Sequence, residues 1–206
     1  MNIIESDLQW REEELTLLKK EFFQTQVNSN KKLYLARALI LITYAHYEGF
    51  IKFLWDHYVS HLKQLNLELG EFKDTIRIYI FEDEYKKFKN TYDIRNILEL
   101  LQNPGHILRK RMQNLELLDT KSNLWPNILE ENNKKICISS KELEDHKHTL
   151  SKLVGLRNEI AHGKNITLSN INEVIDISNS VTNVLYDMAI QIDEAINSQS
   201  YRQNIT

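Results

Sequence analysis

Leu33, Arg37, Ile40, Tyr44, Tyr47, Ile51, Leu54, Tyr58, Leu62 and Leu65 recur at steps of three and four residues, the interval that returns a side chain to one face of an α-helix. A strand would instead alternate its buried side chains, so this segment is committed to a very long helix and sets the backbone of the fold. Shorter segments repeat its period. Leu8, Leu15, Leu18 and Phe22 mark a preceding helix from about Ser6 to Val27, closed by the turn residues Asn28, Ser29 and Asn30. A third long helix is predicted from Ser140, where Ser139-Ser140-Lys141-Glu142 resembles a capping box, to about His162. Ile171, Val174, Ser178, Val181, Leu185, Met188, Ile192 and Ala195 define a fourth to about Asn197, after which a polar tail from Ser198 is expected to fray. With only five glycines and two prolines in 206 residues, the fold class reads as all-α: two helical hairpins packed as a four-helix bundle, residues 1–206 forming one domain.

Between helices two and three the pattern degrades, and residues 70–138 read as an irregular insertion. Thr75 to Phe81 fits either a strand or a buried helical turn, and short helical runs surround Pro104-Gly105 and Pro126. The balance of 26 basic and 29 acidic residues, net charge -3, lacks the footprint of a dedicated duplex binder, so any nucleic-acid contact must be local. The single Cys137 cannot form an internal disulfide, and Met1 to Arg11 lacks a secretory pattern, which together point to the cytoplasm. The longest apolar run, Ala38 to Ala45, is far short of the roughly 20 residues that span a bilayer. No membrane partner is expected.

Costly chemistry concentrates in Arg157-Asn158-Glu159-Ile160-Ala161-His162-Gly163. Leu143, His146, Leu150, Leu153, Arg157 and Ile160 share one helical face, so Arg157 falls on a stripe that its neighbours bury, and a guanidinium there needs a partner. Gly163 can take the left-handed conformation of a C-terminal cap, which leaves His162 in the last turn near unpaired carbonyls. This arrangement resembles the HEPN superfamily, all-α domains whose third long helix ends in an arginine, four to six residues, then a histidine. Here the motif is Arg157-x4-His162, with the polar Asn158 after the arginine as in nuclease members. Ala45-His46-Tyr47-Glu48-Gly49-Phe50 is similar to the toxin-like branch found in prokaryotic defence and toxin–antitoxin loci.

The resemblance implies a metal-independent endoribonuclease acting as a toxin or anti-phage defence effector, with Arg157, His162, Glu48 and Asn158 as catalytic residues and no cofactor. In that chemistry a ribose 2'-hydroxyl attacks the adjacent phosphate and leaves a 2',3'-cyclic phosphate and a 5'-hydroxyl. His162 suits the proton transfers, Arg157 the phosphate, and Asn158 a neutral hydrogen bond. Glu48, on the inward face of helix two, suits the acidic role and is expected to hold Arg157. One histidine cannot conveniently be acid and base at once, so a homodimer with two facing motifs is expected, controlled by an antitoxin or a neighbouring sensor protein. Lys164 stands where some such toxins carry a tyrosine that is silenced by nucleotide transfer, which argues against that route. The alternative reading is a non-catalytic HEPN module that binds RNA or protein within a larger complex.

Among other candidates, Arg109-Lys110-Arg111 is the densest basic run, with Lys86, Lys87 and Lys89 another. Either can track an RNA backbone, although most short charge runs are solvated helix faces. His46, beside Glu48, is a candidate to orient the site or line the substrate cleft, with surface packing as its competing reading. His57 and His61 stand at the i, i+4 spacing of zinc ligands, yet the accompanying Cys or Glu pattern is absent and no metal site is expected.

Overall fold

In the computed structural model, residues 2–27, 29–91, 95, 98, 102–164 and 171–203 are described. Among them seven α-helices are found: α1 (Ile3–Gln24), α2 (Asn30–Gln64), α3 (Asp74–Thr91), α4 (Pro104–Gln113), α5 (Pro126–Lys135), α6 (Lys141–Ala161) and α7 (Glu173–Asn197), with one 3-10 turn at Leu69–Glu71. The sole β pairing among the described residues is an isolated bridge between Phe72 and Arg202. The chain is therefore all-α, and no helix among the described residues is long and apolar enough to cross a membrane.

Two compact units are formed: Met1–Leu54 with Thr120–Glu130 and Ser140–Ile190, and Trp55–Asp119 with Glu131–Ser139 and Gln191–Thr206. In the first, Leu8, Leu15 and Phe22 of α1, Leu39, Ile40 and Phe50 of α2, Leu150, Leu153 and Val154 of α6, and Val181 and Leu185 of α7 are buried. Polar contacts then connect these four helices in a closed circuit. Glu14 of α1 meets His46 of α2, Tyr44 of α2 lies beneath Arg157 of α6, Lys152 of α6 pairs with Glu173 of α7, and Lys19 of α1 donates to Asn179 of α7 at 2.9 Å. A four-helix bundle is the consequence.

The helix starts differ from the sequence expectation. Asn2, not the Ser6 region, opens α1: its side chain accepts the Ile4 N–H, and Glu5 reaches back to accept the Asn2 N–H at 3.0 Å. At α6 the cap is Ser140, one residue beyond the Ser139 that the Ser139-to-Glu142 box implied, and it accepts the Leu143 N–H at 3.0 Å. The reciprocal carboxylate comes from α7 instead of from a local Glu, because Asp187 accepts both Ser140 Oγ and the Glu142 N–H. The far end of α1 is closed by a buried cation. Lys32 donates Nζ to the Phe22 and Thr25 carbonyls and lies 3.8 Å from the Phe22 ring centroid, adding a cation at the negative end of the helix, where the Thr25 N–H reaches Phe22 only at 3.4 Å.

In the second unit, the segment from Thr75 to Phe81, read as either a strand or a buried helical turn, is helical and forms the start of α3. Ile76, Tyr79 and Ile80 are buried while Ile78 is exposed, the i, i+3, i+4 pattern of a helix facing a core; here that pattern outweighs the β propensity of an Ile-rich run. The polar tail does not fray before Tyr201. That ring is 2 % exposed, its carbonyl accepts the Lys73 N–H at 2.9 Å, and Gln203 N–H donates to the Glu71 carbonyl at 2.7 Å. One aromatic anchor and a short backbone pairing are enough to fix it. Of the 70–138 segment, residues 120–130 belong with the first unit, and this places them beside the Arg157 helix.

Candidate active site

α6 ends where its glycine dictates. Gly163 has φ of 72°, and the Lys164 N–H returns to the Glu159 carbonyl at 2.9 Å while Gly163 N–H returns to Ile160 at 3.0 Å. This pair of bonds closes a helix through a left-handed residue, a conformation that costs any side chain larger than hydrogen about 1–2 kcal/mol. Arg37 of α2 fastens the turn by donating Nη1 to the Lys164 carbonyl at 3.2 Å. His162, at the cap position, is exposed. Its ring makes no hydrogen bond among the described residues.

Arg157 is half-buried one and a half turns before that cap. Its Nη1 donates to Asn123 Oδ1 at 2.8 Å and to Asn158 Oδ1 at 2.9 Å, and the guanidinium lies 4.7 Å from the Tyr44 ring centroid. Two neutral amides and an aromatic face therefore orient the cation without cancelling its charge. The expected Glu48 clamp takes another form: among the described residues no ion pair joins Glu48 to Arg157. Glu48 engages the Tyr44 hydroxyl, which also accepts the Leu124 N–H at 3.0 Å. Burial pushes the Tyr44 phenol above its ordinary pKa and Glu48 adds to that rise, while the Leu124 N–H and Arg157 oppose it. Glu48 thus acts on the ring beneath Arg157, because i and i+4 on α2 bring Tyr44 and Glu48 to one face.

His46 belongs to a different cluster. It is 3 % exposed, with Nε2 at 2.7 Å from Glu14 and Nδ1 at 3.4 Å from Arg11 Nη1, and Asp7 holds Arg11 at 2.7 Å. Arginine has no acceptor, so Nδ1 must accept and the proton of the neutral ring sits on Nε2, facing Glu14. His46, Gly49 and Phe50 make the seat for Arg11: the guanidinium lies 5.7 Å from the Phe50 centroid, and a Cβ on Gly49 would stand 3.1 Å from Arg11 Nη1. The expectation that His46 lines the cleft with Arg157 is therefore replaced by a role in docking α1, as its position two residues from Tyr44 turns it to another face of α2.

A pH dependence follows. Burial, with help from Arg11, lowers the His46 pKa from its ordinary 6.5 against the opposing pull of Glu14 and Asp7. The unfolded chain then binds the proton more readily, so this contribution to stability is fully present above about pH 6.5 and is lost as pH falls through the lower folded value. Melting temperatures measured downward from pH 7 should fall more steeply for the parent than for His46→Gln; parallel curves would rule this out.

Arg109, Lys110 and Arg111 lie on α4 in the second unit, the first two exposed. Of the other basic cluster, Lys86, Lys87 and Lys89 fall on α3. His61 approaches the Tyr201 hydroxyl at 3.4 Å, and among the described residues no group of three or more His, Cys, Asp or Glu is placed to hold a metal ion. Two neighbours of Arg157, and the arginine of the separate His46 cluster, carried little or no sign in the sequence. Asn123 carries no local signal at all, 34 residues from Arg157; Tyr44 was read as core; and Arg11 had one available sign, a glycine inside a long helix, which marks a close approach.

A family model described as HEPN_MAE_28990-like HEPN matches residues 2–201. No curated protein and no solved structure matches the chain.

Proposed function

The chain belongs to the HEPN_MAE_28990-like HEPN family, and from that premise we propose that it is a metal-independent endoribonuclease acting as a toxin or anti-phage defence effector. The observation that carries this reading is the setting of Arg157. A structural arginine on a half-buried face is ordinarily neutralised by a carboxylate. Here Asn123 and Asn158 accept from Nη1 alone, and Nε and Nη2 have no partner among the described residues. The remaining edge offers the paired donors that a phosphate accepts.

In the proposed reaction the 2'-hydroxyl of one nucleotide attacks its own 3'-phosphate. A base takes the hydroxyl proton, the bond from phosphorus to the 5'-oxygen breaks, and an acid protonates that leaving oxygen. Arg157 balances the charge that builds on the phosphorane oxygens. Asn158 holds Arg157, and Glu48 acts through Tyr44 to position the ring beneath it. His162, exposed at the cap, serves one proton transfer, and the same histidine of a second copy serves the other in a homodimer. Arg109, Lys110 and Arg111 are proposed as additional phosphate contacts. An antitoxin or neighbouring sensor protein keeps the activity in check, within a cytoplasmic setting.

Purified protein incubated with single-stranded RNA in EDTA should yield fragments ending in 2',3'-cyclic phosphate, and His162→Ala should leave the RNA intact. DNA of the same sequence lacks the nucleophile and should survive. Loss of cleavage in EDTA, cutting of DNA, or full activity of His162→Ala would each reject the mechanism. RNA binding without turnover favours the non-catalytic module.

A further inference from the structure

We infer that Trp125 stacks an unpaired nucleobase of the RNA whose phosphate lies on Arg157, making the segment from Thr120 to Trp125 the base-recognition edge of the site; the inference rests on the proposed RNA-directed function. The segment is bound to the site at two successive residues. Asn123 accepts from Arg157 at 2.8 Å, and the Leu124 N–H donates to the Tyr44 hydroxyl at 3.0 Å while its own side chain is fully buried. The next residue is Trp125. Two residues of chain span at most about 7 Å, so the backbone of Trp125 is held within a nucleotide's reach of the guanidinium.

The indole is nevertheless 37 % exposed, and no aromatic or cationic partner covers its ring among the described residues. Its backbone is fixed rather than loose. Trp125 N–H donates to the Asn123 carbonyl at 2.9 Å, and its own carbonyl accepts the Ile128 and Leu129 N–H groups at 2.9 and 3.1 Å, so it opens α5 ahead of Pro126. A rigid aromatic on an anchored backbone loses little conformational freedom when it binds, which is the property a stacking platform needs. Lys121, four residues earlier, has φ of 57°. Left-handed backbone in a residue other than glycine is strained, and such strain collects where surrounding structure enforces a binding geometry.

Charge and chemistry agree on the ligand. No acidic side chain occurs from Thr120 to Leu129, and Lys121 adds a positive charge to the segment. Every nucleobase has a face that an indole can cover, and unpaired RNA is recognised largely through such faces. Because a guanidinium reads only phosphate, a ring on the segment anchored to Arg157 supplies the contact that favours an unpaired base over a duplex.

The test uses the full chain carrying His162→Ala, so that RNA remains intact, and measures binding of a short single-stranded RNA by fluorescence anisotropy. Trp125→Ala should weaken binding by about 5- to 150-fold, the range spanned by base–aromatic stacking, and Trp125→Phe should restore most of it. Oligonucleotides with one base removed at each position in turn should identify one site whose loss weakens the parent but not Trp125→Ala. Unchanged affinity of Trp125→Ala, losses that add at every position, or no RNA binding by the His162→Ala chain each overturn the inference. The two readings fail separately. Cleavage that persists unaltered in Trp125→Ala rejects the base contact alone, whereas Trp125-dependent binding by a wild-type chain that never cleaves rejects only the nuclease.

Discussion

Arg157→Lys should lower RNA cleavage by about a hundred- to a thousand-fold, the loss expected when a preorganised donor to a developing oxyanion is removed. Lysine keeps the positive charge, so a site that used Arg157 only as a cation would lose little. What it removes is geometry: the planar group that rests on Tyr44, accepts orientation from Asn123 and Asn158, and still presents paired donors. An ammonium cannot satisfy two amides through one edge and a phosphate through another. Asn123→Asp makes the complementary test. It places a carboxylate where an amide oxygen now sits 2.8 Å from Nη1, and the resulting ion pair should reduce cleavage while preserving or raising the melting temperature. If cleavage by Arg157→Lys stays within a few-fold of the parent, or if Asn123→Asp is fully active, the guanidinium is not the phosphate ligand.

The largest expected loss of stability comes from Trp55→Ala. Trp55 is fully buried, and its Nε1–H donates to Asn133 Oδ1 at 2.9 Å. Truncating a core tryptophan costs about 3–5 kcal/mol through lost burial and the cavity that remains. The amide of Asn133, itself 2 % exposed, also loses this donor. Trp55→Phe separates the two effects, since it keeps most of the ring and deletes the N–H, at roughly 1–3 kcal/mol. Urea midpoints for the three proteins should fall in the order parent, Phe, Ala. Equal midpoints for parent and Trp55→Ala would mean that this ring is not packed as described.

How far the sequence carried depends on the range of the contact involved. The long helices were legible because their cores repeat locally: Leu143, Leu150 and Leu153 announce the buried face of α6 without knowledge of what covers it. Gly163 was legible for a similar reason, since the conformation it permits is a property of one residue and its two neighbours. The partners of Arg157 were not. Asn123 and Arg157 are separated by α5 and most of α6, and nothing in Ser122-Asn123-Leu124 foretells that approach. Glu48 was placed near the motif by helical spacing, yet spacing cannot distinguish a carboxylate aimed at a guanidinium from one aimed at the phenol between them. The tail failed for the opposite reason. Its polar composition is real, but the Tyr201 anchor and the backbone pairing beside it decide where it lies.

The seat of Arg11 on α2 carries a consequence for descent. Position 49 is tight because a guanidinium from another helix approaches it, and a Cβ there would stand 3.1 Å from Arg11 Nη1. A lineage that loses Arg11 is released from glycine at 49 and gains helix propensity by replacing it, whereas a lineage that fills 49 first must shift the cation beside His46. Homologous chains should therefore carry glycine with or without the arginine, and a larger residue at 49 chiefly where the arginine is gone.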